Sequence, residues 1–179
     1  MLLRTATQHG FFRAASFTSE EISSVPGGGL LRHIDLLAAN RDEAAAAAGL
    51  PAETTDVQDI INAAISRFRP ENPAIRLSIT AGKGGNWTWD GKILQHVPTP
   101  SVPVESTAGA GDAHLAGMLV GLALGLELGE AQQLATLLAA FSVTSAHTIH
   151  PDADRTALRQ LASNCCFPVS SKVRDLLED

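Results

Sequence analysis

From Ser106 to Ala113 the chain reads Ser-Thr-Ala-Gly-Ala-Gly-Asp-Ala, and an apolar run follows it as far as Leu126. Glycine carries no Cβ, so Gly109 and Gly111 let the backbone bend sharply and bring its amides close to a ligand. A helix beginning near Asp112 aims further unpaired N–H groups the same way, and its dipole favours negative charge at that end. The chemistry this suits is anion binding, by the amides running from Gly109 through Ala110 and Gly111 to Asp112. A phosphoryl group in transfer carries negative charge that such donors stabilise. Asp112 stands at the mouth of this cradle, where its carboxylate would repel an anion. Two readings account for it: a general base taking the proton of an attacking hydroxyl, or an ordinary acidic residue in a first helical turn.

Elements on either side must hold this turn in place. The stretch from Val102 to Leu126 predicts a short apolar strand, the glycine turn and an apolar helix, and Leu128 to Ser145 predicts a second long helix. Upstream, Ile34 to Ala39 reads as a short buried strand, and Asn40 followed by Glu43 opens an Ala-rich helix. That spacing is a capping box, in which each side chain satisfies the other's backbone amide. Thr55 to Phe68 is amphipathic at helical spacing, Ala74 to Thr80 is a compact apolar strand, and Asp90-Gly91 signals a hairpin. The turn at Ala81-Gly82-Lys83-Gly84-Gly85 is not a Walker loop, because no glycine stands five positions before Gly82 and Lys83 is followed by glycine. Lys83 reads as a solvated turn residue.

Three of these landmarks, in this order, resemble the ribokinase-like (PfkB) family of carbohydrate and nucleoside kinases. Thr107 to Asp112 is similar to the family's second signature, Asp-Thr-x-Gly-Ala-Gly-Asp, with Ser106 where the first Asp usually stands. The segment ending Thr80-Ala81-Gly82-Lys83-Gly84-Gly85 resembles the family's strand and Thr-x-Gly-x-x-Gly turn, and Asn40 to Glu43 its Asn-x-x-Glu. The resemblance implies an α/β fold, a largely parallel sheet flanked by helices, with the N-terminal half and lid of the family absent. It implies ATP as co-substrate and transfer of its γ-phosphoryl group to a sugar or nucleoside hydroxyl. Asp112 would be the base and Gly109, Ala110 and Gly111 the anion hole. Asn40, Thr80, Gly82, Gly85 and Thr136 would bind nucleotide, and Glu43 would help hold Mg2+ through water. The family's K+ site lies near this turn, and Ser106 puts it in doubt. The run Ser142 to Pro151, with Ser106, is similar to pseudouridine-kinase-like members. A non-catalytic nucleotide-binding or regulatory fragment is the alternative reading.

Composition bounds these readings. The chain has 179 residues, 45% hydrophobic and 18% charged, which describes a globular domain. Its organisation reads as an irregular segment over 1–29, a nucleotide-binding part over 30–163 and a tail over 164–179. A formal net charge of −6 argues against a nucleic-acid partner, and no uncharged apolar run is long enough to argue for a membrane span. Cys165 and Cys166 are the only cysteines, so a reducing cytoplasm is expected. Met1 to Ser19 holds Arg4, Arg13 and His9 without an acid, a composition that keeps a mitochondrial leader as the minor alternative. His147, His150, Asp152 and Asp154 read as a polar loop rather than a zinc site, because Pro151 interrupts their alignment. A homodimer is the assembly the reading leaves open.

Overall fold

A computed structural model describes every residue except Met1, Ala52, Thr55 and Asp179. The chain divides into two compact units, Met1–Gln95 and His96–Asp179.

The first unit is built on a sheet. Its elements are α1 (Leu2–Gln8), β1 (Ala14–Ser16), α2 (Ser19–Ile22), a 3-10 turn at Leu31–His33, β2 (Leu36–Asn40), α3 (Arg41–Ala48), α4 (Val57–Phe68), β3 (Arg76–Thr80), a 3-10 turn at Gly82–Gly84 and β4 (Asn86–Trp89). The division between units falls within β5 (Leu94–Val97). The strands lie in the order β1-β2-β3-β4-β5, with β1, β2 and β3 parallel and β4 antiparallel to β3. This is the α/β arrangement expected, a mixed and mostly parallel sheet with helices against it.

Alternation along the strands decides what each face buries. Leu37 and Ala39 of β2 and Leu77 and Ile79 of β3 join one core with Ile60, Ile61, Ala64 and Phe68 of α4 and the alanines of α3. The four α4 positions recur at helical spacing, and Asp56 caps the helix by accepting from the Asp59 amide at 2.9 Å. Thr55, where the sequence pattern starts, lies outside the described residues. Small side chains let α3 sit close against α4 and the sheet.

The segment expected to be irregular, 1–29, carries three regular elements, α1, β1 and α2, before an irregular stretch over 23–29. A three-residue strand is too short to show periodicity, and it exists because it pairs with β2, Ala14 opposite Leu36 and Ser16 opposite Ala38. Arg13 fastens its start. The guanidinium donates to both Asp35 oxygens, at 2.7 and 2.6 Å, and the Arg13 amide donates to the same carboxylate at 2.8 Å. These bonds hold the Asp35 carboxyl below its ordinary range.

The second unit is helical: α5 (Ala110–Ala123), α6 (Leu128–Ser142), α7 (Arg155–Asn164) and α8 (Ser171–Glu178). The strand expected from Val102 does not form. Pro103 has no N–H to give a ladder, and the Glu105 amide beyond it bonds to the Val143 carbonyl instead, so the segment joins no sheet. Helix α6 ends at Ser142, three residues short of the expected Ser145. There the Ser142 and Thr144 hydroxyls turn back to the carbonyls of Ala139 and Phe141, each at 2.8 Å, competing with helical continuation. Helices α5 and α6 pack backbone to backbone. A Cβ on Gly117 would lie 2.6 Å from the Ala135 Cα, and one on Gly121 would lie 2.9 Å from the Ala131 Cβ.

Candidate active site

The glycine turn is pinned by the segment after α6. The Val143 carbonyl accepts from the amides of Glu105, at 2.8 Å, and Ser106, at 3.3 Å. The Ser106 hydroxyl accepts from the Ala108 amide at 3.2 Å, closing the turn locally. Gly109 then takes the left-handed conformation, φ 81°, with the Thr148 carbonyl oxygen 2.5 Å from where a Cβ would stand. Only glycine satisfies both conditions.

Helix α5 starts at Ala110, so Ala110, Gly111 and Asp112 form its first turn. The Ala110 amide donates to the Thr107 carbonyl at 3.3 Å. Among the described residues no acceptor takes the amides of Gly109, Gly111 or Asp112, as expected where a helix leaves its first donors unpaired. Gly111 is exposed and does not have positive φ, and nothing lies within 4 Å of the Cβ it lacks. Its glycine serves no internal packing purpose; it leaves the helix mouth open. Asp112 is exposed beside it, and among the described residues its carboxylate accepts no hydrogen bond and joins no ion pair. The Asp112 carboxylate therefore does not cap its own helix.

His114, two residues on, turns the other way. It is 2% exposed, its Nε2 has no hydrogen-bond partner among the described residues, and burial pulls its pKa down to about 4. It is a neutral imidazole within the helical core.

The first unit carries the other candidates. Asn40 ends β2 and Thr80 ends β3, and the sheet register sets Asn40 opposite Thr80 and Thr80 opposite Asn86 of β4. Three polar residues thus share one row at the carboxyl ends of two parallel strands, the end at which open α/β sheets bind ligands. Sequence reasoning missed Asn86. Its signal was an amide beside Trp87 and Trp89, and only the register shows that it joins Thr80; it is 6% exposed. Asn40 and Glu43 form the capping box: the Asn40 amide donates to Glu43 Oε2 at 2.8 Å and the Glu43 amide to Asn40 Oδ1 at 2.9 Å. Among the described residues nothing engages Glu43 Oε1.

Gly82 and Gly85 have φ of 53° and 87°, and the turn they make closes with the Ala81 amide on the Gly85 carbonyl at 2.9 Å. Lys83 is exposed at its tip. Asn40, Glu43, Thr80, Gly82 and Gly85 belong to the first unit; Gly109, Ala110, Gly111, Asp112 and Thr136 belong to the second. Thr136 is 1% exposed in the middle of α6. In the polar loop the His150 ring lies 4.1 Å from the Phe141 ring, and Asp154 caps α7 by accepting from the Ala157 amide at 2.7 Å.

Comparison with known proteins bears on this arrangement. Residues 24–155 match the pfkB family carbohydrate kinase profile. The bifunctional protein HldE of Azorhizobium caulinodans is 37% identical over 119 residues, 65% of this chain and 24% of that protein. A Clostridium perfringens protein provisionally assigned as a sugar kinase superposes with a TM-score of 0.74 and 25% identity, over 92% of this chain and 49% of that one. Phosphofructokinase-2 of Escherichia coli shares the fold, with a TM-score of 0.72 and 21% identity over 92% of this chain and 51% of its own. The chain thus spans about a quarter of the curated relative and about half of each structural neighbour. The profile covers well over half of the chain and includes both glycine turns, the Asn40–Glu43 cap and Asp112, and on that ground the chain belongs to the pfkB family of carbohydrate kinases.

Proposed function

We propose that this chain forms the nucleotide-binding and catalytic-base part of an ATP-dependent phosphotransferase acting on a sugar or nucleoside hydroxyl. The observation that carries the reading is the open first turn of α5, where the free amides of Gly111 and Asp112 adjoin an unpaired Asp112 carboxylate. Those amides bind the transferring group's charge, and the carboxylate takes the acceptor hydroxyl's proton. Asn40, Thr80 and the Gly82–Gly85 turn order the nucleotide at the strand ends. Thr136, buried as it is, supports the helix near the base.

The donor set fits Mg2+ held mainly by phosphates and water. Among the described residues no three His, Cys, Asp or Glu side chains are grouped as a cage, and Glu43 keeps only Oε1 for a metal-bound water. When bound, the ion neutralises phosphate charge. Potassium fits poorly, because Ser106 offers a hydroxyl already accepting from Ala108 where the family pattern has a carboxylate. Within the acceptor class, the Ser106 turn and the Ser142 to Pro151 run favour a nucleoside of the pseudouridine type. A cytoplasmic setting suits the ATP dependence.

The test is phosphorylation of a panel of sugars and nucleosides, with ATP binding measured in parallel, for wild type and Asp112→Asn. Turnover on one acceptor, reduced roughly 10²–10⁴-fold in the variant while ATP still binds, supports the reading. ATP binding without turnover on any acceptor would favour the alternative of a nucleotide-binding regulatory fragment.

A further inference from the structure

Beyond the family match, α7, α8 and the turn between them frame a half-open pocket of about 320 Å³. Phe167, Leu177 and Ala162, each less than 10% exposed, give it an apolar floor. Arg159 of α7 and Arg174 of α8 line it from the two helices, and Glu178 is the one acid among the described lining residues. Both arginines are exposed, and among the described residues neither guanidinium has an ion-pair or hydrogen-bond partner. Two cations and one anion leave this cavity locally positive in a chain whose formal charge is −6.

Unpaired arginines beside an apolar floor have a specific chemical complement. A guanidinium presents its donors as a planar fork that matches carboxylate, phosphate or sulfonate oxygens, and the floor removes apolar surface from water. The volume lies near the lower end of the roughly 300–1,000 Å³ seen for small-molecule sites, too small for a peptide. We propose that this cavity binds a small organic acid, one anionic group on a planar or short apolar body, with the acid on Arg159 and Arg174 and the body on Phe167 and Leu177. Cys166, exposed on the cavity wall, is a built-in reporter of occupancy.

The experiment uses two fluorescent probes of the same aromatic body, anilinonaphthalene sulfonate and its neutral analogue N-phenyl-1-naphthylamine. The site predicts saturable binding of the sulfonate, at least tenfold tighter than the amine, and at least a tenfold loss in the Arg159→Ala, Arg174→Ala protein. It also predicts that saturating sulfonate slows alkylation of Cys166 by iodoacetamide at least fivefold in a Cys165→Ser background, with Mg-ATP present to occupy the nucleotide site. Equal affinity for the two probes, an unchanged affinity in the double variant, or an unchanged alkylation rate would each overturn the proposal. The alkylation arm keeps both arginines, so it stands even if the double variant is poorly folded.

Discussion

The carbonyl oxygen of Thr148 lies 2.5 Å from the point a Cβ on Gly109 would occupy, whereas nothing lies within 4 Å of that point on Gly111. Two glycines of one motif are therefore glycine for different reasons. Gly109→Ala must strain a positive-φ residue and displace Thr148, and a loss of roughly 1–3 kcal/mol is expected in chemical denaturation. Gly111→Ala sits in a helical first turn with open space around it, so stability should hold or rise by about 0.5–1 kcal/mol. Its methyl occupies the mouth of the anion cradle, so the Mg-ATP-induced rise in melting temperature should shrink. The larger Gly111→Val should abolish that rise. A Gly111→Ala protein less stable than wild type, with unchanged ATP response, would count against this division of roles.

Asn40 and Glu43 separate in the same way. Asn40→Ala removes the acceptor for the Glu43 amide and should cost about 1 kcal/mol, read from the urea midpoint. Glu43→Gln keeps an oxygen for the Asn40 amide, so stability should stay within roughly 0.5 kcal/mol. What it removes is charge, and the Mg2+ concentration needed for half-maximal ATP binding should rise.

Helix α5 leaves no room at its contact with α6. Gly117→Ala places a methyl 2.6 Å from the Ala135 Cα, and that contact is backbone, which cannot rotate away. Helix propensity favours alanine by about 1 kcal/mol, and overpacking costs about 1–3 kcal/mol, so a net loss is expected in thermal unfolding. The paired change Gly117→Ala with Ala135→Gly should recover little, because the methyl meets the Ala135 Cα and amide nitrogen, which remain in glycine.

His114 makes stability depend on pH. Its pKa is about 4 in the folded chain against an ordinary 6.5, so between those values the unfolded chain binds a proton that the folded chain does not. Stability must then rise with pH across that window: full above 6.5, it declines as pH falls towards 4. At about 1.4 kcal/mol per pH unit the loss approaches roughly 3 kcal/mol. Denaturation at pH 7 and pH 5 should show about 2 kcal/mol of it, and His114→Phe should flatten the difference without affecting the carboxylates that act at lower pH.

The features legible from the residues alone are those set by neighbours along the chain. The amphipathic spacing of Ile60, Ile61, Ala64 and Phe68, the Asn40–Glu43 cap, the Asp90-Gly91 hairpin and the glycine turn before Asp112 each depend on a few consecutive residues. Here Asp90 Oδ1 accepts the amides of Lys92 and Ile93, so one residue makes the turn. Tertiary structure decided what depends on distant partners. β1 is a strand only because β2 accepts its pairing, and the stretch from Val102 is not one because Pro103 gives nothing to a ladder. Asn86 joins the row of Asn40 and Thr80 through an antiparallel register that no local pattern encodes. Gly109 is fixed by a carbonyl 39 positions away along the chain, at Thr148. The physical division is one of range: turns, caps and helix faces are local balances of sterics and hydrogen bonds, while strand pairing and close backbone approach are settled only when remote segments meet.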